Sequence, residues 1–328
     1  MISLNYLQKK LYLNFHFFNK TFRKVSLWQK FSFFLLLLFF FLYPGHNYYQ
    51  TLILKPTPYP LKPLNLNLPP LFLPISLDQT PPPALTASAV YVFDPDSGTI
   101  LYAKNPDLKL FPASTTKIMT ALVALDTYAL SDVLTVKTGS SAIGHNAGLL
   151  QNDKLTLESL LYTLLIPSGN DAALTLAENY PHGGYPGFIA AMNQKAKALH
   201  LNDTHYSNAS GIESSDHVTS VRDLGLLTKE AIRSPLLLKI VSTQQIVISD
   251  VSGEHSYPLT STNQLLGKVK GLMGFKTGWT EKAGECLVSF VDRDGKKIIT
   301  VLLGSSDRFG ESKSIIDWAY SHYSWTAL

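Results

Sequence analysis

Acidic residues are absent from the N-terminal part of this 328-residue chain, where no Asp or Glu precedes Asp78. Basic residues are present there, so much of the net charge of +4 and the isoelectric point near 8.9 originates in residues 1–30. A basic balance that is confined to one tail does not indicate a nucleic-acid-binding surface. With 45% hydrophobic and 16% charged residues, the composition predicts a folded globular domain and no nucleic-acid partner.

Cysteine is almost absent as well, since Cys286 is the only one, and a disulfide within the chain is excluded. Cys286 lies in the apolar, strand-like stretch "ECLVSF", which predicts a packed core thiol. The nine histidines form no H-E-x-x-H or similar spacing. We therefore expect neither a metal nor a cofactor.

A single long apolar run, "FSFFLLLLFFFLY" at 31–43, follows the basic tail and stops at Pro44. A membrane span usually needs about 20 residues, so the run is short. No small-residue cleavage site follows closely, which favours an uncleaved membrane anchor over a cleaved secretory signal, although both remain open. In either case the basic tail, residues 1–30, is expected in the cytoplasm and everything after residue 44 outside it.

Proline and leucine dominate residues 44–86. Proline-rich chain favours extended conformations, so this segment is interpreted as a linker that holds a domain away from the membrane. Its leucines are unusual for a linker, and contact with lipid or with the domain are both open.

Globular patterning begins near residue 87. Alternating apolar stretches predict strands at both ends of the region, and amphipathic helices lie between them. We expect one mixed α/β (α+β) catalytic domain over 87–328. Its antiparallel sheet is built from both chain ends and flanked by helices, with a mostly helical insert covering one side.

Three short motifs then stand out, each with an ordinary structural explanation. S-x-x-K before an apolar helix is typical of a helix cap, S-G-N of a turn, and K-T-G of a strand end. Their order and local context favour chemistry instead, and they occur at Ser114–Lys117, Ser168–Asn170 and Lys276–Gly278.

The first motif pairs a hydroxyl with an amine on one helix face. A serine hydroxyl is a weak nucleophile unless a neighbouring base takes its proton. Burial and a nearby cation lower the pKa of a lysine, and Lys276 is a candidate for that cation. We expect Lys117 to be partly neutral and to act as the general base for Ser114 in acylation.

The stretches "PASTTKIMTALVAL", "PSGNDAALTLAE" and "GFKTGWTEKAGECLVSF" resemble the low-molecular-mass, penicillin-binding D-alanyl-D-alanine carboxypeptidases. The resemblance runs from about residue 87 to 325 and implies the fold shared by β-lactamases and DD-peptidases. Members often carry a second, β-rich domain and an amphipathic C-terminal helix for membrane attachment. Here we expect the N-terminal segment to provide the attachment.

The resemblance also implies roles for the motif residues. Ser114 would be the nucleophile, Ser168 would bridge the two lysines and relay a proton to the leaving amine, and Asn170 would orient Lys117 and hold a substrate amide. The backbone N–H groups of Ser114 and Trp279 would form the oxyanion hole.

Substrate recognition is assigned in the same way. Lys276 and Thr277 would face the terminal carboxylate of the substrate, and Gly278 would let the substrate pair with the strand. Arg308 matches the carboxylate-recognising arginine of these enzymes when counted back from Trp318, and its guanidinium suits that task.

The expected activity is removal of the last D-alanine from peptidoglycan stem peptides ending in D-Ala-D-Ala, through an acyl-enzyme that β-lactams also form. A D,D-endopeptidase and a non-hydrolytic, membrane-anchored sensor remain alternatives. Fast β-lactam hydrolysis is not expected, because the E-x-x-L-N context of class A β-lactamases is missing around each candidate glutamate: Glu178, Glu213, Glu230 and Glu254.

Overall fold

In a computed structural model of the chain, residues 26–42 and 72–327 are described. They fall into two compact units, Met1–Asn67 and Leu68–Leu328. The first unit contributes helix α1, Leu27–Leu42, which has 16 residues and buries none of them. The predicted membrane segment lies on α1 except for its last residue, Tyr43, which is outside the described part. None of the described helices has both the length and the apolar character needed to cross a bilayer.

The second unit is built on a five-stranded antiparallel sheet whose strand order is β3-β2-β10-β9-β8. Strands from both ends of the sequence share this sheet, as predicted. The fold class of this unit is mixed α/β, as expected. The strands are β2 (Ala89–Phe93), β3 (Ile100–Lys104), β8 (Leu272–Thr280), β9 (Gly284–Arg293) and β10 (Lys296–Ser305).

Three two-stranded antiparallel ribbons complete the β structure. They pair β1 (Phe72–Ser76) with β11 (Tyr323–Ala327), β4 (Val133–Thr135) with β5 (Lys154–Thr156), and β6 (Gln245–Ser249) with β7 (Ser256–Thr260).

The ribbon of β1 and β11 corrects the predicted extent of the linker, 44–86. The backbone of β1 pairs with β11 from Phe72↔Ala327 to Ser76↔Tyr323, so it belongs to the folded unit. Leu85 packs against a buried cluster of this unit, so at this position the linker leucine contacts the domain. Residues 43–71 lie outside the described part.

Seven α-helices are described in this unit. They are α2 (Lys117–Thr127), α3 (Leu157–Leu165), α4 (Asn170–Glu178), α5 (Gly184–Ala198), α6 (Val221–Ala231), α7 (Pro235–Val241) and α8 (Arg308–His322). Side-chain caps fix several starts: Thr156 accepts a hydrogen bond from the Ser159 N–H at α3, and Ser220 from the Asp223 N–H at α6.

Strand β2 explains the layered architecture, because all five of its residues are buried. Successive side chains of a strand point to opposite faces, so a fully buried strand needs cover on both sides. Tyr91 and Phe93 belong to the cluster shared with the helical insert, while Val90 and Val92 belong to the cluster that contains Ile316 of α8. Helices therefore cover both faces, and β8 remains at one edge of the sheet.

Candidate active site

The first motif occupies a tight 3-10 turn, Ala113–Thr116, that leads directly into α2. No side chain caps this start. The Thr116 hydroxyl donates instead to the carbonyl oxygen of Ala113, at 2.8 Å. The helix-cap explanation of these hydroxyls is therefore wrong. The turn brings the Ser114 Oγ to 2.9 Å from the Nζ of Lys117, the first residue of α2.

Lys117 is fully buried, with 0% of its surface exposed, and its amine has three partners. Besides Ser114, it donates to the Oδ1 of Asn170 at 2.6 Å and to the carbonyl oxygen of Ser210 at 2.8 Å. These two oxygens only accept hydrogen bonds, so they take two N–H groups of the amine. A neutral amine would then direct its lone pair to the Ser114 hydroxyl, as a base requires.

The electrostatic surroundings favour a neutral amine. Burial lowers the pKa of Lys117 to about 7, and the nearby Asp171 carboxylate partly opposes this by raising it. Asp171 is itself buried and accepts hydrogen bonds from the backbone N–H groups of Gly148 and Leu149 at 2.9 and 3.0 Å. A substantial part of the protein therefore carries a neutral Lys117 at neutral pH.

The second motif meets the third at a hydrogen bond between a hydroxyl and an amine. Lys276 donates to the Oγ of Ser168 at 2.8 Å and to the carbonyl oxygen of Thr277 at 3.1 Å. Burial, together with the positive charges of Lys117 and Arg308, holds the pKa of Lys276 well below its usual range. Within the described residues, the Ser168 hydroxyl makes no hydrogen bond to Lys117, so the expected bridge between the two lysines is formed on the Lys276 side alone.

Asn170 fastens the site to the loop that precedes β5. Its Nδ2 donates to the carbonyl oxygen of Ile143 at 2.7 Å, and its backbone N–H donates to the carbonyl oxygen of His145 at 2.8 Å. The amide orientation is thereby fixed, with Oδ1 toward Lys117. A Cβ on Gly144 would lie 2.5 Å from Nδ2, so this close approach needs glycine.

The third motif lies on β8, the edge strand of the five-stranded sheet. Thr277 is buried, and its hydroxyl is 2.6 Å from that of Thr262. A Cβ on Gly278 would lie 3.1 Å from the backbone nitrogen of Ser114, so glycine allows the strand to approach the nucleophile turn. The next side chain, Trp279, is 62% exposed.

Arg308 is the first residue of α8. Its Nη1 donates to the carbonyl oxygen of Gly278 at 2.8 Å, and its backbone N–H donates to Glu285 at 2.9 Å. Its buried Nε has no hydrogen-bond partner among the described residues. The guanidinium therefore lies beside the K-T-G segment and keeps donors available for another acceptor.

All nine predicted site residues thus belong to one connected cluster. The described structure adds participants that carry no motif of their own: Ala113, Asp171 and Ser210. Asp171 could have been noticed because it directly follows S-G-N, whereas Ser210 contributes a backbone carbonyl, which no side-chain pattern reveals.

Residues 77–307 match the family model described as D-alanyl-D-alanine carboxypeptidase. A curated relative, D-alanyl-D-alanine carboxypeptidase DacF of Bacillus subtilis, is 29% identical over 72% of this chain and 63% of its own length. The D-alanyl-D-alanine endopeptidase of Pseudomonas aeruginosa is 32% identical over 77% of this chain and 85% of its own. The chain therefore spans less than two thirds of the first of these relatives and most of the second.

Solved structures match the same region. The crystal structure of a Streptomyces DD-transpeptidase covers 74% of this chain and 100% of its own, with a TM-score of 0.70 and 30% identity. A penicillin-binding protein of Listeria monocytogenes, solved in its ampicillin-bound form, covers 74% of this chain with a TM-score of 0.65 and 29% identity. The fold predicted from the motifs is confirmed by these neighbours.

Proposed function

The chain belongs to the D-alanyl-D-alanine carboxypeptidase family, and on this premise we propose that it removes the terminal D-alanine of peptidoglycan stem peptides through an acyl-enzyme on Ser114. The observation that carries the proposal is the 2.9 Å approach of the Ser114 hydroxyl to the buried amine of Lys117. A hydroxyl so close to a base of lowered pKa is the arrangement that nucleophilic catalysis by serine requires.

In the acylation step, Lys117 takes the Ser114 proton while Oγ attacks the carbonyl carbon of the penultimate D-alanine. The oxygen of that carbonyl becomes negative and accepts hydrogen bonds from the backbone N–H groups of Ser114 and Trp279. As the C–N bond breaks, the proton that Lys117 took from Ser114 passes to the departing D-alanine amine by way of the Ser168 hydroxyl, which Lys276 holds at 2.8 Å, and Lys117 becomes neutral again.

Deacylation follows the same path with water in place of serine. Lys117 takes a proton from the water, the hydroxide attacks the ester carbonyl, and the Ser114 oxygen leaves and regains its proton. No metal or cofactor takes part in either step. Peptide and β-lactam differ in the leaving group, because the amine of an opened β-lactam stays attached to the acyl group.

Recognition of the free carboxylate is assigned to Lys276, Thr277 and Arg308. The Arg308 side chain reaches the carbonyl oxygen of Gly278 and has a buried Nε without a partner in the described part. A guanidinium with unused donors fits a carboxylate. The open edge of β8 would pair with the peptide backbone, and Asn170 would hold its amide.

The test is intact-mass analysis after incubation with a labelled penicillin, followed by mapping of the modified peptide. We expect one adduct on the wild type and none on Ser114→Ala. Ser321→Ala, which changes an exposed serine of α8, serves as the matched control and should be labelled normally. Release of D-alanine from a pentapeptide then separates an enzyme from a non-hydrolytic sensor, and a wild type without an adduct would refute the proposal.

A second candidate, D,D-endopeptidase activity on peptidoglycan cross-links, is favoured by the 32% identity to the Pseudomonas aeruginosa endopeptidase. An endopeptidase would use the same residues to cleave the amide of a cross-link instead of the terminal D-Ala-D-Ala amide. Incubation with cross-linked muropeptide dimers and with pentapeptide monomers compares the two rates directly, and faster cleavage of dimers would favour this candidate.

The location is also a proposal. The basic tail, residues 1–30, would remain in the cytoplasm and the apolar segment 31–43 would attach the protein to the membrane. A linker starting at residue 44 and ending before β1 would lead to the catalytic domain outside. The exposed apolar surface of α1 supports this arrangement. If the full chain were recovered in the soluble fraction and the version lacking residues 1–43 behaved identically, attachment by this segment would be excluded.

A further inference from the structure

His217 is a buried histidine, 1% exposed, that no step of the proposed mechanism uses. Its ring lies between two segments of the active site. Nε2 is 2.8 Å from the hydroxyl of Thr116, in the turn that carries Ser114. Nδ1 accepts from the backbone N–H of Ser207 at 3.0 Å and faces the side-chain Nδ2 of Asn208 at 3.2 Å.

These contacts determine the tautomer of the ring. The backbone N–H of Ser207 can only donate, so Nδ1 carries a lone pair and the proton of the neutral ring is on Nε2. Burial lowers the pKa of His217 to about 4, with Asp216 raising it and His205 lowering it. The ring is therefore neutral at physiological pH and donates from Nε2 to Thr116.

On one side, the contact continues into the nucleophile turn. The Thr116 hydroxyl accepts from His217 and donates to the carbonyl oxygen of Ala113 at 2.8 Å. Ala113 directly precedes Ser114 and has a φ of +48°, a backbone conformation that alanine rarely adopts. Such a conformation persists only where its surroundings hold it, and the Thr116 contact is one of those constraints.

On the other side, the contact continues to the general base. The Oδ1 of Asn208 accepts from the backbone N–H groups of Ser210 and Gly211 at 3.2 and 2.7 Å, which closes a tight turn. The carbonyl oxygen of Ser210 in this turn accepts from Lys117 at 2.8 Å. Since Nδ1 of His217 faces the amide of Asn208, the ring helps to fix which way that amide points.

We propose that His217 is a positioning residue of the acylation step, because it ties the turn that carries Ser114 to the turn that supplies the Ser210 acceptor of Lys117. The inference rests on the proposed function. His217 acts through Thr116 and Asn208 and contacts no reacting atom. Misplacement of a reacting group by about 1 Å can cost about 100-fold in rate, so loss of the His217 contacts should measurably lower the acylation rate.

The test is stopped-flow acylation of the full chain by a chromogenic cephalosporin, which yields separately the binding constant of the initial complex and the rate constant of acylation. In His217→Phe, which keeps an aromatic ring but no nitrogen, we expect the acylation rate constant to fall by about 100-fold and the binding constant to stay within about threefold.

A pH profile adds a readout that loss of folded protein would not move. The groups that face Lys117 are Asp171 and Lys276, and loss of the Ser210 acceptor would favour its neutral form. The acid limb of the acylation rate should therefore move to lower pH in His217→Phe. His205→Phe is the matched control, because His205 lies on the same segment, is exposed, and has an imidazole that contacts only Asp216 in the described part of the chain, so it should leave both readouts unchanged.

Two further variants keep the test decisive if His217→Phe does not fold. His217→Asn retains an acceptor near the Nδ1 position but cannot reach Thr116, so its acylation rate should fall as in His217→Phe, and Thr116→Val, which cuts the same contact from the other side, should also lose much of the rate. Wild-type acylation rates and an unmoved acid limb in both His217→Phe and Thr116→Val would overturn the inference. If the wild type itself fails to react, the proposed function fails instead.

Discussion

Gly211 lies so close to Ala113 that a Cβ built on the glycine would be 1.9 Å from the alanine carbonyl oxygen. Both residues have positive φ, +89° for Gly211 and +48° for Ala113. The loop that provides the Ser210 acceptor and the turn that carries Ser114 are therefore in direct backbone contact. Neither can move independently of the other, so the geometry of Lys117 is set by two backbones as well as by side chains.

This contact predicts that Gly211→Ala is severely damaging. A methyl group there would collide with backbone that cannot rotate away, so the turn must shift and the acylation rate should fall by about 100-fold or more. Stopped-flow acylation measures it. Gly253→Ala is the control, since Gly253 also has positive φ, +77°, but no atom lies within 4 Å of the added Cβ. Equal rates in the two variants would contradict the assignment.

The sequence was sufficient for those parts of the site that are local in the chain. Ser114 and Lys117 are one helical turn apart, and Lys276 to Gly278 end an apolar strand, so short motifs identify them. The sheet was predictable for a similar reason, because β2, β9 and β10 each carry a short, largely apolar stretch of the kind that predicts a strand.

Contacts made by backbone atoms or by ribbons far apart in sequence could not be predicted in this way. The Ser210 carbonyl and the Gly211 approach depend on how a loop packs against a distant turn. Strand β1 lies within the predicted linker because its leucine and proline resemble the residues before it, and its pairing with β11, about 250 residues later in the chain, is not visible in the local sequence. The Ser168 hydroxyl was expected at both lysines, although its hydrogen bond is to Lys276.

The pKa of Lys117 predicts the pH dependence of acylation. Only the neutral amine can take the Ser114 proton, and burial lowers its pKa to about 7. The acylation rate should therefore rise from acidic pH and level off above about pH 7. The profile is measured with penicillin under single-turnover conditions. A rate independent of pH between 5 and 9 would be inconsistent with Lys117 as the base.

Asp171 allows the sign of this dependence to be tested. Its carboxylate raises the pKa of Lys117, so Asp171→Asn should lower that pKa and shift the acid limb to lower pH. The plateau should also fall, since the amide N–H group would oppose the N–H donors of Gly148 and Leu149. Asp223→Asn, at another buried acid, is the control, and its acid limb should not move.

Arg308 is predicted to affect binding of the peptide more than chemistry. A hydrogen bond to a charged group contributes about 1.5–3 kcal/mol, so Arg308→Ala should raise KM for a D-Ala-D-Ala peptide by about 10- to 100-fold. D-alanine release at varied peptide concentration measures it. Arg233→Ala removes an exposed arginine paired only with Glu230 and should leave KM unchanged. An unchanged KM in Arg308→Ala would reject its role in recognition.

Gly278 and Trp279 are neighbours on β8, yet their side-chain positions predict opposite sensitivities. A Cβ on Gly278 would lie 3.1 Å from both the Ser114 nitrogen and the Ala113 Cβ, so Gly278→Ala must push the strand or the turn by a few tenths of an ångström. Two oxyanion-hole donors, the N–H groups of Ser114 and Trp279, would then separate. Loss of one such donor costs about 100- to 1,000-fold in rate, and partial misplacement should cost about 10-fold or more.

Trp279→Ala removes an indole that is 62% exposed and keeps the backbone N–H, so acylation should stay within about threefold of the wild type. Acylation rates of the two variants decide the matter, because a larger loss in Trp279→Ala than in Gly278→Ala would mean that the indole, and not the strand backbone, serves the reaction.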